Sequence, residues 1–386
     1  MALLTAFSYA ELVTKYPRAG GSAVYAEKAF RSPLVAFLVG FCMLAAGVVS
    51  AAGLSLAFTG DYLTAFLDVP QIPAAVVFLV VVALVNAWGI KESLRANVVM
   101  TVIESAGLVL VIVLGAWVIG RGDADLGGAF TPPEGTSAGL AVLSSALVAF
   151  YSFVGFETSA NLAEEIRDVS RVYPRALFAA LATAGVAYML LGFVAPAVVP
   201  PDELAESSGP LLEVVRAAGF VAPEMFAAVA LVAVANGALL TMIMASRLAY
   251  GMARQRLLPS SLARVLPGRR TPGVAIAVTT VLAVVLAVTG ELVDLASTVV
   301  LLLLFVFLST NVAALVLRRD HVEHDHFRSP TAMPVLAVLT CLVLLTQQEP
   351  QHWLLAAVLL AVGVVVHLLT RWTSRAGHAA HTDEEA

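Results

Sequence analysis

The chain has 386 residues, 60% of them hydrophobic and 13% charged, with 27 acidic against 22 basic side chains. Soluble domains carry about 45–50% apolar and roughly 25% charged residues, so this composition excludes a soluble enzyme, a nucleic-acid binder and a disordered chain. Cys42 and Cys341 both lie in apolar runs and read as small buried hydrophobes, with no disulfide or metal role.

The first apolar run, Ala2–Val13, is short: as a helix it reaches about 18 Å, against a hydrocarbon core of about 30 Å. Runs of spanning length follow at 33–60, 72–90, 98–120, 139–163, 175–199, 222–246, 273–290, 295–317, 332–346 and 353–370. Each is bounded by Pro, Gly or charge; the run 332–346 is short enough to need tilt or extension. No basic n-region or small-residue cleavage site marks a signal peptide. Residues 1–371 thus form a transmembrane bundle, and 372–386 a polar tail.

Basic residues test this segmentation, because they gather in cytoplasmic loops. Placing 14–32 inside and alternating sides puts Lys15, Arg18, Lys28, Arg31, Lys91 and Arg95 in the cytoplasm. Arg167, Arg171, Arg175, Arg247, Arg254, Arg256, Arg264, Arg269 and Arg270 follow, then Arg318, Arg319, Arg328, Arg371 and Arg375. Of the 22 basic residues, only Arg121 and Arg216 fall outside. The expected topology has eleven spans with the C-terminus in the cytoplasm. Met1 is then external, in a helix that is either re-entrant or entered partway along.

Ionisable groups at membrane depth mark candidate sites. Glu157 sits in Tyr151-Ser152-Phe153-Val154-Gly155-Phe156-Glu157-Thr158-Ser159, where Gly155, the hydroxyl residues and the carboxylate all weaken a helix. A broken helix is tolerated in a membrane where it lines a cavity, and transporters bind substrates at such breaks. The alternative is a continuous helix with Gly155 as a packing notch. Glu104, on the cytoplasmic half of its run, is either a second site or an interfacial carboxylate. Asn236, Thr241, Ser309, Thr310 and Asn311 suit ligand contact or interhelical hydrogen bonds, and Asn86 reads as structural. The loop Asp320–His326 holds histidines and carboxylates but no thiolate, and reads as a solvated, pH-sensitive loop, not a metal site. No Walker-type loop, HExxH or Ser/His/Asp constellation points to an ATP-driven pump or a hydrolase. No cofactor is expected.

Three blocks together resemble the amino acid–polyamine–organocation permeases. The first is Tyr9-Ala10-Glu11-Leu12 with Tyr16-Pro17-Arg18-Ala19-Gly20-Gly21 and Tyr25. The second is Phe153–Glu157, Asn161–Glu165 and Pro174-Arg175-Ala176; the third is Ser246-Arg247-Leu248, Tyr250, Met252-Ala253-Arg254, Leu258-Pro259 and Thr271-Pro272. The resemblance covers nearly the whole chain. It implies an all-α bundle of two five-helix inverted repeats plus two C-terminal helices, in which the opening stub is helix two, so that eleven of twelve helices are present.

The resemblance further implies that the backbone of Ser152, Phe153, Val154 and Gly155 binds substrate between Tyr151 and Phe156, which can make cation–π contacts with an amine. Asn236, Thr241 and Ser309 are expected to line the pocket. Glu157 matches an acidic position used near the gate in some members, and Glu104 lies where several proton-coupled members place Lys. The implied function is secondary transport of amino acids or related amines across the cytoplasmic membrane, proton-coupled or by exchange, with Glu157 or Glu104 carrying the proton. A truncated, non-transporting remnant is the competing reading. A channel is disfavoured because no charged ring or filter signature is present.

Overall fold

The computed structural model describes all residues except 19, 90–93, 128–129, 131–137, 270 and 384–386. Ala19, Lys91 and Arg270 therefore lie outside the described residues, as do the side chains of Arg95, Leu162, Glu165, Arg371 and Arg375.

In a hydrocarbon solvent every backbone N–H and C=O must find a partner within the protein, which leaves helices as the local solution for long apolar runs. The described residues accordingly form helices and turns, with no strand among them. The helices are α1 (Ala2–Lys15), α2 (Gly21–Phe30), α3 (Pro33–Ala57), α4 (Gln71–Trp88), α5 (Leu94–Gly120), α6 (Ala138–Tyr151) and α7 (Val169–Val198). After these come α8 (Pro201–Glu206), α9 (Pro210–Ala218), α10 (Pro223–Arg254), α11 (Gly273–Thr289), α12 (Leu292–Val316), α13 (Ala332–Leu345) and α14 (Pro350–Asp383). Among the described residues, eight helical stretches are long and apolar enough to cross a membrane: Pro33–Tyr62, Gln71–Trp88, Val98–Gly120, Ala141–Asn161, Val169–Val198, Pro223–Arg254, Leu292–Arg319 and Pro350–Leu368. The apolar helices α11 and α13 are shorter. Every run of spanning length expected from the sequence coincides with one of these ten helical stretches. The polar tail expected from residue 372 does not begin at a helix end, because α14 runs on to Asp383.

Ser32 starts α3 by accepting the Val35 N–H at 3.5 Å, and Pro33 takes the first helical position, where no N–H is required. A helix apolar on all sides must be covered on all sides or face lipid. In α12 the consecutive residues Leu301, Leu302, Leu303 and Leu304 are all buried, and α3 is covered almost as fully. These two helices pack along each other as the centre of the bundle, with α1, α2, α10, α13 and α14 around them. By contrast, α4 turns Val77, Val80, Val81 and Leu84 outward as a lipid-facing stripe. Asn86 near the end of α4 donates to the Ser246 hydroxyl on α10 at 3.2 Å, the structural role expected of it.

At the far end of α3 the helix widens into one π turn, Phe58–Tyr62, with Gly60 off helical geometry. Asp61 there accepts from the Ser207 hydroxyl and the Gly209 N–H, each at 3.0 Å, and so ties the turn to the segment leading into α9.

Candidate substrate site

The stretch expected to be a weak helix is broken. α6 stops at Tyr151, residues 152–155 form turns, and Phe156–Glu165 continues as a 3-10 helix. Gly155 sets the break: its φ is +121°, a conformation that side-chain-bearing L residues avoid, although a Cβ there would meet nothing within 4 Å. The constraint is thus one of backbone conformation and not of space, which removes the packing-notch alternative.

The break is held by its own side chains. Gly155 N–H donates to Glu157 Oε2 at 2.9 Å, and the Thr158 hydroxyl returns to the Gly155 carbonyl at 2.6 Å. The Tyr188 hydroxyl on α7 donates to the Ser152 carbonyl at 2.8 Å, while its ring meets Phe153 edge-on at 5.1 Å. Tyr151 lies 3.4 Å, oxygen to oxygen, from the Ser50 hydroxyl on α3. Two of the backbone groups expected to receive substrate, the Ser152 and Gly155 carbonyls, are therefore already engaged.

Glu157 is 3% exposed, and no Lys, Arg or His pairs with it among the described residues. Removing a carboxylate from water without a cation is costly, so the surroundings of this group define the chemistry of the site. They are phenols and rings. Tyr9 on α1 and Tyr173 on α7 lie within electrostatic reach of the carboxylate. Phe156 packs edge-on to Tyr9 at 5.6 Å and against Phe307 of α12 at 5.3 Å; Phe150 meets Phe307 at 5.6 Å. The Tyr9 hydroxyl reaches Ser22 at 2.5 Å, and Thr310 donates to the same Ser22 at 3.0 Å. Sequence reasoning used Tyr9 only as a family signature, and missed Ser22, Phe307 and Tyr188 as neighbours of the break. The one available signal was a hydroxyl or ring within an otherwise aliphatic run.

The remaining candidates divide into two groups. Asn236 on α10 donates to Glu104 Oε1 on α5 at 2.8 Å, so two residues selected separately form one pair. Thr241 is half-buried on α10. Ser309 is on α12, which packs against α6, and its hydroxyl is buried with no partner among the described residues. Asn311, close by on the same helix, donates to Thr5 on α1 at 3.1 Å.

At the end of α1 lies a second polar assembly. Glu11 is paired with Arg318 at 3.0 Å and also accepts the Ser329 N–H at 3.1 Å. Lys15 Nζ donates to the Leu317 and Asp320 carbonyls at 2.7 and 2.5 Å, and the Tyr16 hydroxyl donates to the Asp320 carboxylate. That bond holds the Asp320 carboxyl below its usual range, and burial, with Asp320 beside it, raises the Tyr16 phenol. Thr14 receives His324 at its carbonyl and Phe327 N–H at its hydroxyl. The loop is exposed over most of Asp320–His326, as expected of a solvated segment, and is also strapped across the end of α1 by these bonds. Among the described residues no group of three or more His, Cys, Asp or Glu side chains is placed to hold a metal ion.

These features sit in a chain whose residues 1–374 match the family model described as amino acid permease. The chain belongs to the amino acid permease family. The permease is 28% identical over 392 residues to the methylthioribose transporter of Bacillus subtilis (strain 168), with 95% of this chain and 82% of that protein covered. It is 28% identical over 379 residues to the low-affinity putrescine importer PlaP of Escherichia coli (strain K12), covering 94% and 82%. It is 26% identical over 397 residues to the branched-chain amino acid permease BcaP of Bacillus subtilis (strain 168), covering 95% and 82%. The resemblance read from the three sequence blocks is thereby confirmed. The permease is a membrane transporter and not an enzyme.

Proposed function

We propose that the chain is a secondary transporter that carries amino acids or related amines across the cytoplasmic membrane by alternating access. The observation that supports this most is the buried, cation-free Glu157 beside a helix break lined by rings, within a chain of this family. The relatives' names cover a branched-chain amino acid, putrescine and methylthioribose, so membership alone does not choose the substrate; the site chemistry supports one that carries an ammonium group. An ammonium entering beside Glu157 would supply the missing charge, and the faces of Phe156 and Tyr151 suit a cation. The turn backbone at Phe153 and Val154 would meet the other end of the substrate, with Ser309, Thr241 and Asn236 as polar lining.

In this reading the helices form two five-helix inverted repeats with two further C-terminal helices, α1 corresponds to helix two of the family, and residues 372–386 lie in the cytoplasm. Glu157, or Glu104 through its Asn236 partner, takes up a proton when no ammonium is present, which couples uptake to a proton gradient. The test is uptake of labelled branched-chain amino acids and putrescine into proteoliposomes across a pH range. Substituting both carboxylates, Glu104→Gln and Glu157→Gln, removes the pH dependence. Unchanged pH dependence refutes the coupling, and no transport of any amino acid or amine refutes the function and favours a non-transporting remnant.

A further inference from the structure

Beneath the strap lies a partly open cavity of about 240 Å³, between the end of α1 and the chain following α12. It lies at the end of the bundle opposite the Asp61–Gly209 tie, among the loops that hold most basic residues. Its wall contains three permanent cations, Lys15, Arg318 and Arg328, against two carboxylates, Glu11 and Asp320. The carboxylates are already engaged, Glu11 by Arg318 and the Ser329 N–H, Asp320 by Tyr16. Arg328 therefore leaves the wall with one positive charge in excess.

Arg318 is held firmly in that wall. Its Nη atoms bond Thr331, Glu11 and the Ser329 carbonyl, but its Nε is buried and meets no acceptor among the described residues. These bonds fix the Arg318 guanidinium in the wall, while Arg328 forms no ion pair among the described residues and is the cation left to meet an anion. The volume is below the ~300–1,000 Å³ in which drug-sized molecules are held, so a nucleotide does not fit and a single headgroup-sized anion does. The burial of His326, with Lys15 and Arg328 beside it, holds its imidazole below the usual value, as a positive wall requires.

We infer that this cavity binds a phosphate group, with Arg318, Arg328 and Lys15 as its ligands. Several oxygens around one centre can meet donors arriving from three elements, which a two-oxygen carboxylate cannot, and Arg–phosphate contacts are among the stronger hydrogen bonds. The phosphate is either free inorganic anion or the headgroup of an anionic lipid, for which basic pockets between membrane helices are suited. Occupancy would knit α1 to the strap and so brace that end of the bundle. The site uses none of the groups assigned to substrate.

The experiment is thermal unfolding of the purified full chain in detergent, titrated with sodium phosphate, with short-chain phosphatidylglycerol, and with sodium chloride at matched ionic strength. A saturable rise in midpoint with phosphate identifies the free anion; a rise with phosphatidylglycerol alone identifies the lipid headgroup. Arg328→Gln, an exposed side chain whose loss leaves the packing intact, should weaken the apparent affinity about tenfold or more, as expected for losing a charge-assisted bond. Arg328→Met, which removes the same charge, serves that purpose should the first variant fold poorly. The inference is overturned if neither phosphate source exceeds the chloride control, or if both variants respond as the parent does.

Discussion

Replacing Gly155 by Ala tests whether the break in the sixth helix is written into the backbone. The added methyl group meets nothing within 4 Å, so any effect comes from φ, which stands at +121°. Holding a side-chain-bearing residue in such a region costs about 1–3 kcal/mol. That lowers the population of the broken form roughly 5- to 150-fold relative to any relaxed alternative. Relaxing φ would swing the Gly155 N–H away from Glu157 Oε2, now 2.9 Å distant, and a hydrogen bond to a charged acceptor contributes about 1.5–3 kcal/mol. Gly192 in α7 is the control: a Cβ there also meets nothing within 4 Å, but it carries no left-handed φ. Gly192→Ala should be neutral or stabilising by about 0.5–1 kcal/mol, as in any helix interior. The assay is paired, with the thermal midpoint in detergent and initial uptake in proteoliposomes measured for both variants. Equal midpoints and equal uptake for the two would show that φ does not hold the break open, and the reasoning would fail.

Three further outcomes rest on individual contacts. Arg318→Met leaves Glu11 with its side chain only 5% exposed and no cation, so the folded state should lose about 3–5 kcal/mol; a loss under about 1 kcal/mol in denaturant titration would contradict a buried pair. Tyr9→Phe removes the hydroxyl that meets Ser22 at 2.5 Å and should cost about 1 kcal/mol while uptake persists, because the ring contacts to Phe156 and Phe307 remain. Tyr9→Ala should cost about 3–5 kcal/mol and stop uptake; equal behaviour of the two variants would remove the ring from the account. For His326 the folded protein binds the proton more weakly than the unfolded chain, whose value is 6.5. Its contribution is therefore complete above pH 6.5 and is lost as the pH falls through 6.5 toward the lowered folded value. The midpoint should drop between about pH 7.5 and 5.5, and drop less in His326→Gln; identical slopes would exclude this residue.

The spans were legible because each is a local property: a run such as Val76 to Val85 is apolar whatever it touches. The break was legible for a similar reason, since Gly155 and its hydroxyl neighbours disfavour a helix by themselves. The winding of the chain beyond the break was not. Over Phe156–Glu165 the spacing of apolar residues does not separate a 3-10 from an α-helix, and the tighter winding begins with the Thr158 N–H donating to the Gly155 carbonyl at 3.1 Å. Pairings across the chain were equally hidden. Glu104 and Asn236 both stand out as polar residues at depth, yet nothing in their spacing joins them. Glu11 and Arg318, 307 residues apart, read respectively as part of a motif and as a loop charge. The strap was legible as a solvated loop, which its exposed His and Asp residues are, but its attachment was hidden because it runs through Thr14, an inconspicuous hydroxyl just past the opening run.

The ten residues Phe156–Glu165 carry a mechanical consequence. A 3-10 helix rises about 2.0 Å per residue and an α-helix 1.5 Å, so rewinding this segment would shorten it by about 5 Å and draw one of its ends toward the other. That stroke is close to one α-helical turn of 5.4 Å, enough to carry Glu157 from one set of neighbours to another. Runs of this length in the tighter winding are uncommon, and here the winding is clamped between Gly155 at one end and the Asn161 contact to Gly20 at 3.3 Å near the other. Any change of winding here would have to be taken up either at the Gly155 turn or at the Asn161 tie to α2.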